Sequence, residues 1–109
     1  MARTNTRRNK TNIGTGLYVD HQYGITVSAD VVIGRYCNIH KGFTIGQENR
    51  GKRKGVPTIG NDVCIRVNAT IVGKVSIGDY VLIAHNAFVN CDIPSHSVTL
   101  IYPKLYLPY

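Results

Sequence analysis

Two stretches of this chain carry residue types that could do chemistry. The first is Asp20-His21, followed by Gln22, Tyr23 and Gly24. It sets a carboxylate beside an imidazole, the side chain that titrates nearest neutral pH and can therefore move a proton. The second is residues 47–57, where Arg50, Lys52, Arg53 and Lys54 crowd into one segment suited to an anionic partner. The other histidines, His40, His85 and His96, follow no ligand spacing and read as ordinary surface or corner residues. Cys37, Cys64 and Cys91 form no CxxC pair. They read as thiols in a reducing compartment rather than a disulfide or a metal site.

The elements that must position these residues announce themselves by period. Ile59, Ile65, Ile71, Ile77, Ile83 and Val89 recur every six residues, and Val63, Ala69, Val75, Val81, Ala87 and Ile93 follow four residues behind each. Six fits neither a helix nor a plain strand. It fits a short strand, a corner and another short strand, repeated, with each unit burying its face only by stacking. The fold class is all-β: a parallel β-helix built of hexapeptide repeats, with one extruded loop. Corner glycines in Ile33-Gly34, Ile45-Gly46, Ile59-Gly60 and Ile77-Gly78 are expected at positions that need positive φ.

The repeat breaks twice, and each break falls on one of the two chemical stretches. Val19 to Val27 spans eight residues instead of six, so two extra residues fall within positions 20–25. Ile45 to Ile59 spans fourteen, and residues 47–57 have no apolar periodicity, which marks a loop thrown out from the coil. An insertion retained inside a repeat is either a bulge or a site. Residues 1–11 read as a basic tail, 12–98 as the β-helix, and 99–109 as an extension that leaves the stack and caps its open end.

Composition narrows the partners. With no Trp, two Phe and seven Tyr, the core must be filled by Ile and Val. The net charge of +7 favours an anionic ligand, but no aromatic side chain interleaves the basic loop, so nucleic acid is not expected. No apolar run approaches the ~18 residues of a membrane span, and no signal-peptide core is present, so the reading is cytoplasmic. The flat sides of a solenoid this small predict an oligomer.

The hexads, the Asp20-His21-Gln22-Tyr23-Gly24 insertion and the loop after Ile45-Gly46 together resemble a serine acetyltransferase, of the shorter branch found beside polysaccharide genes. The resemblance covers roughly residues 12–98 and lacks the helical domain that precedes the β-helix in full-length members. It implies a left-handed coil, a homotrimer, and acetyl-CoA as co-substrate in the groove between neighbouring β-helices, with no metal. It also implies His21 as general base on an acceptor hydroxyl and Asp20 as a holder of the substrate amine. Gly46 and Gln47 would face the thioester, and Arg50, Lys52 and Lys54 the CoA phosphates.

Three positions depart from the family's pattern. Thr6 stands where an Asp partners the histidine, Gly55-Val56 where an Arg-His pair grips the substrate carboxylate, and Ile101-Tyr102 where small residues line the cofactor groove. The leading expectation is direct acetyl transfer to L-serine. A sugar hydroxyl is the alternative acceptor, and a non-catalytic trimeric scaffold is the alternative of another class.

Overall fold

The computed structural model describes residues 12–20, 24–49, 51–52, 54–99 and 106–108, the side chains of Asp20 and of 106–108 excepted. His21, Arg50 and Arg53 lie outside the described residues, as do Thr6, Ile101 and Tyr102.

The chain winds into triangular coils of three short strands each. The first coil holds β1 (Asn12–Ile13), β2 (Tyr18–Asp20) and β3 (Thr26–Val27). The second holds β4 (Val32–Ile33), β5 (Asn38–His40) and β6 (Thr44–Gly46). The third holds β7 (Thr58–Ile59), β8 (Cys64–Ile65) and β9 (Thr70–Val72). The fourth holds β10 (Ser76–Ile77), β11 (Leu82–Ile83) and β12 (Phe88–Val89). A partial fifth holds β13 (Ser97–Thr99), and β14 (Tyr106–Pro108) follows. Strands β1 to β13 pair with their counterparts in adjacent coils, which gives three faces: β1-β4-β7-β10, β2-β5-β8-β11-β13 and β3-β6-β9-β12.

The six-residue period is the spacing from one face to the next. On the first face Ile13, Ile33, Ile59 and Ile77 stand in register, and Ile77 bridges on to Ile93. On the second face Val19, Ile39, Ile65, Ile83 and Thr99 do the same, and on the third Val27, Ile45, Ile71 and Val89. From coil two onward the apolar members of these columns are sealed from water, together with Val63, Ala69, Val81 and Ala87. Each isoleucine so buried stabilises the coil by roughly 1.5–3 kcal/mol relative to exposure. The β-branched shape suits this narrow interior because its χ1 is already restricted in a strand.

The corner glycines act differently from the sequence expectation. Gly34, Gly46, Gly60 and Gly78 are absent from the positive-φ positions. What Gly34, Gly60 and Gly78 provide is proximity: a Cβ on Gly60 would lie 2.6 Å from the Gly78 carbonyl oxygen, and one on Gly14 2.7 Å from the Gly34 carbonyl carbon. The left-handed turns fall two residues after Gly34, Gly60 and Gly78, at Tyr36, Asp62 and Tyr80, and in the fifth coil at His96. At the next corner Gly24, Gly42, Asn68 and Asn86 take that conformation, so asparagine replaces the glycine that Arg66-Val67-Asn68 and Ala84-His85-Asn86 lack.

At the C-terminal end the stack persists through Thr99, since β13 lies parallel on β11. β14 then returns antiparallel along β13 and pairs with its free edge.

Candidate active site

The first phase break lies between β2 and β3, at the corner joining the second and third faces. Asp20 is the Cα partner of His40, and the left-handed corner residues that follow are Gly24 in coil one and Gly42 in coil two. Three residues lie between Asp20 and Gly24, but only one between His40 and Gly42. The two extra residues therefore fall within 21–23, and the corner is otherwise the ordinary one. A Cβ on Gly24 would lie 3.5 Å from the Gly42 Cα, an ordinary van der Waals contact between the two corners.

The second break begins at the far end of the third face. β6 ends at Gly46, β7 resumes at Thr58, and 47–57 projects between them. Glu48 and Gly55 exchange both backbone hydrogen bonds at 2.9 Å, which pinches the loop into a short antiparallel neck. The Gln47 side chain donates to Asn49 Oδ1 at 2.9 Å. Lys52 and Lys54 stand in solvent beyond the neck. Because β3 and β6 are neighbours, the break that precedes β3 and the loop root that follows β6 adjoin opposite ends of one face in adjacent coils.

Two residues beyond the sequence reading join this region. Gly55 packs on the stem of Lys74, where a Cβ would sit 3.1 Å from the Lys74 Cβ, so Lys74 belongs with the basic loop. The sequence hid it because Lys74 follows the loop by a full coil. The only pointer is the register of Gly46 with Val72. His40, read as an ordinary residue, is half-buried opposite Asp20, with its Nε2 3.9 Å from Cys64 Sγ. Burial pushes the Cys64 thiol pKa up against the opposing pull of Arg66. Asn38 and Lys41 are both exposed, on the second face and at its corner.

The three thiols are free. Cys37 is buried and donates to the Gly60 carbonyl at 3.3 Å, and burial raises its pKa. Among the described residues no group of three or more His, Cys, Asp or Glu is arranged to hold a metal ion, and no helix is long and apolar enough to cross a membrane.

Comparison with known proteins agrees with this architecture. Residues 57–98 match the family model of the bacterial transferase hexapeptide (six repeats). The chain is 36% identical over 88 residues to a serine acetyltransferase of Helicobacter pylori, covering 81% of this chain and 52% of the relative. It is 32% identical over 83 residues to the serine acetyltransferase of Synechococcus elongatus, covering 76% of this chain and 34% of that one. It thus spans about a third to a half of the relatives it matches.

Among solved structures, the serine acetyltransferase of Neisseria gonorrhoeae in complex with serine superposes with a TM-score of 0.79 at 30% identity, over 92% of this chain and 40% of that one. That of Brucella abortus in complex with coenzyme A gives 0.83 at 25% identity, over 91% and 40%. These neighbours share a left-handed β-helix, and the coil described here has that fold. The chain is a left-handed hexapeptide-repeat β-helix of the serine acetyltransferase-like family.

Proposed function

We propose that this chain carries the acetyl-transfer site of an acetyl-CoA-dependent O-acetyltransferase with L-serine as acceptor. What supports the reading is the pair of interruptions in the repeat: one follows Asp20 before β3, the other is the basic loop after β6, and β3 and β6 are neighbours on one face. In this reading His21 takes the proton from the acceptor hydroxyl as its oxygen attacks the thioester carbonyl. The C–S bond breaks, and the CoA sulfur leaves and is protonated. Asp20 holds the acceptor's amine, and backbone N–H groups at Gly46 and Gln47 receive the developing negative charge. Arg50, Lys52 and Lys54, joined by Lys74, meet the CoA phosphates. Three copies assemble so that each groove is completed by a neighbour, and no metal takes part.

The acceptor has a second candidate, a sugar hydroxyl. The observation that favours it is Gly55-Val56, two residues without a cationic side chain where the resemblance places an Arg-His pair for the serine carboxylate.

The test is release of free CoA thiol by the full-length protein supplied with L-serine, with methyl galactoside, or with no acceptor. Serine-dependent release that His21→Ala abolishes is the expected result. Release with the galactoside alone would move the acceptor to a sugar. Absence of both release and acetyl-CoA binding would overturn the enzyme reading and leave a scaffold.

A further inference from the structure

The corner between the first and second faces carries aromatic side chains that acetyl transfer does not use. Its left-handed positions in successive coils are Gly16, Tyr36, Asp62, Tyr80 and His96, with φ of 78°, 54°, 55°, 54° and 58°. L-residues rarely adopt this conformation, and tyrosine has no local hydrogen bond to offset its strain, as Asn has. Nor do the rings supply a core: Tyr36 is 56% and Tyr80 49% exposed. Backbone strain retained for two solvent-exposed rings points to a use for the rings.

The corner holds them rigidly. Tyr36 N–H donates to Thr15 O at 2.8 Å, Asp62 to Arg35 O at 2.8 Å, Tyr80 to Asn61 O at 2.9 Å and His96 to Asp79 O at 2.9 Å. One residue earlier, side chains form a second ladder. Asn61 Oδ1 accepts from Arg35 N–H at 2.7 Å, Asp79 Oδ1 from Asn61 N–H at 2.8 Å, and Ser95 Oγ from Asp79 N–H at 2.9 Å.

The rings follow the coil pitch. Tyr36 lies over Gly16, where any Cβ would run into its ring. Tyr80 and His96 stack with centroids 5.2 Å apart and planes 11° from parallel, close to one coil spacing. Coils two, four and five thus each contribute a ring, and coil three contributes Asp62 instead. Tyr36 and Tyr80 are two coils apart, about 9.5 Å at the usual strand spacing. Among the described residues no side-chain hydrogen bond or ion pair engages the Asp62 carboxylate.

That coil spacing, taken as the spacing of the two rings, selects the occupant. A flat group in contact with both rings needs only about 7–8 Å, so a guanidinium or a base would be loose by roughly 2 Å. A pyranose chair, thickened by its axial C–H bonds, fills the gap and offers C–H groups to both ring faces. Its hydroxyls can donate to the carboxylate beside it. We propose that Tyr36, Asp62 and Tyr80 form a slot for one pyranose ring of a neutral glycan. The slot stands on a different corner from His21 and does not depend on the acetyl-transfer reading.

The test uses the full-length protein without acetyl-CoA and follows the tyrosine ring NMR signals during titration with methyl glucoside, methyl galactoside and arginine amide. Saturable shifts of Tyr36 and Tyr80 with at least one pyranoside are expected. Asp62→Asn and Tyr80→Asn both keep a residue that accepts the left-handed turn, and each should weaken binding about tenfold or more, the first by loss of a charged hydrogen bond and the second by loss of one ring face. Unchanged amide signals in both variants would show that the fold is intact. No pyranoside shift at millimolar concentration, shifts that survive both substitutions, or a response to arginine amide alone would overturn the slot.

Discussion

His40 Nε2 lies 3.9 Å from Cys64 Sγ, across two adjacent coils of the second face. A thiol beside an imidazole can be an activated nucleophile, but here burial is the largest influence on Cys64 and keeps its proton on. Cys37 is held in the same direction, by burial first and by the nearby Asp62 and Asp79 charges further down the order. Both thiols titrate above the ordinary value of 9.0.

That direction sets a pH dependence. An acid whose pKa is raised by folding keeps its proton in the native state, where the unfolded chain has already lost it. Stability is therefore complete below about pH 9.0 and falls as pH rises from there toward the folded-state pKa values. Urea midpoints should be flat from pH 7 to 8.5 and decline above pH 9, and Cys37→Ala/Cys64→Ala should remove most of that decline. Iodoacetamide should label native Cys64 more slowly than the same cysteine in the urea-unfolded chain.

The glycines of the first corner make a sharper steric prediction. Gly60→Ala would place a Cβ 2.6 Å from the Gly78 carbonyl oxygen, and neither backbone can retreat without opening the coil spacing. Its cost should be about 2–3 kcal/mol, at the upper end of overpacking. Gly51→Ala in the loop meets nothing within 4 Å, so only its φ of +79° matters, at about 1–2 kcal/mol. Chemical denaturation of the two variants should rank them in that order.

A solenoid should also show position-dependent core costs. Ile65 is fully buried between Ile39 and Ile83, so Ile65→Ala should cost about 2–5 kcal/mol. Ile13 opens its column and is 40% exposed, so Ile13→Ala should cost under about 1 kcal/mol. Equal losses in a thermal melt would contradict independent stacking of coils.

Thr99 ends the column of Val19, Ile39, Ile65 and Ile83 with a buried hydroxyl that lacks a hydrogen-bond partner among the described residues. Thr99→Val keeps the shape and removes the orphaned group. It should raise stability by about 1–2 kcal/mol, read as a higher urea midpoint at unchanged slope.

The architecture was legible in the chain because a six-residue repeat has a single physical solution. Ile59 through Val89 recur at the spacing from face to face, and every coil repeats the same burial problem, so local pattern and global fold coincide. Both interruptions were legible for the same reason, since a fixed period makes an insertion countable. The extra residues at 21–23 and the loop at 47–57 fall where the phase slips.

What the repeat could not reveal is which residues meet between coils. Lys74 beside Gly55, His40 beside Cys64 and the Tyr36-Asp62-Tyr80 corner are each separated by 18 to 26 residues, and the loop makes that separation unequal from coil to coil. The corner glycines show the limit most clearly. Sequence marked Gly34, Gly60 and Gly78 as special, but only the stacked coils decided that they are needed for backbone approach rather than for positive φ. Periodicity along one chain determines what is inside. Register between coils, set by strand pairing over those distances, determines what stands side by side on the outside, where ligands are met.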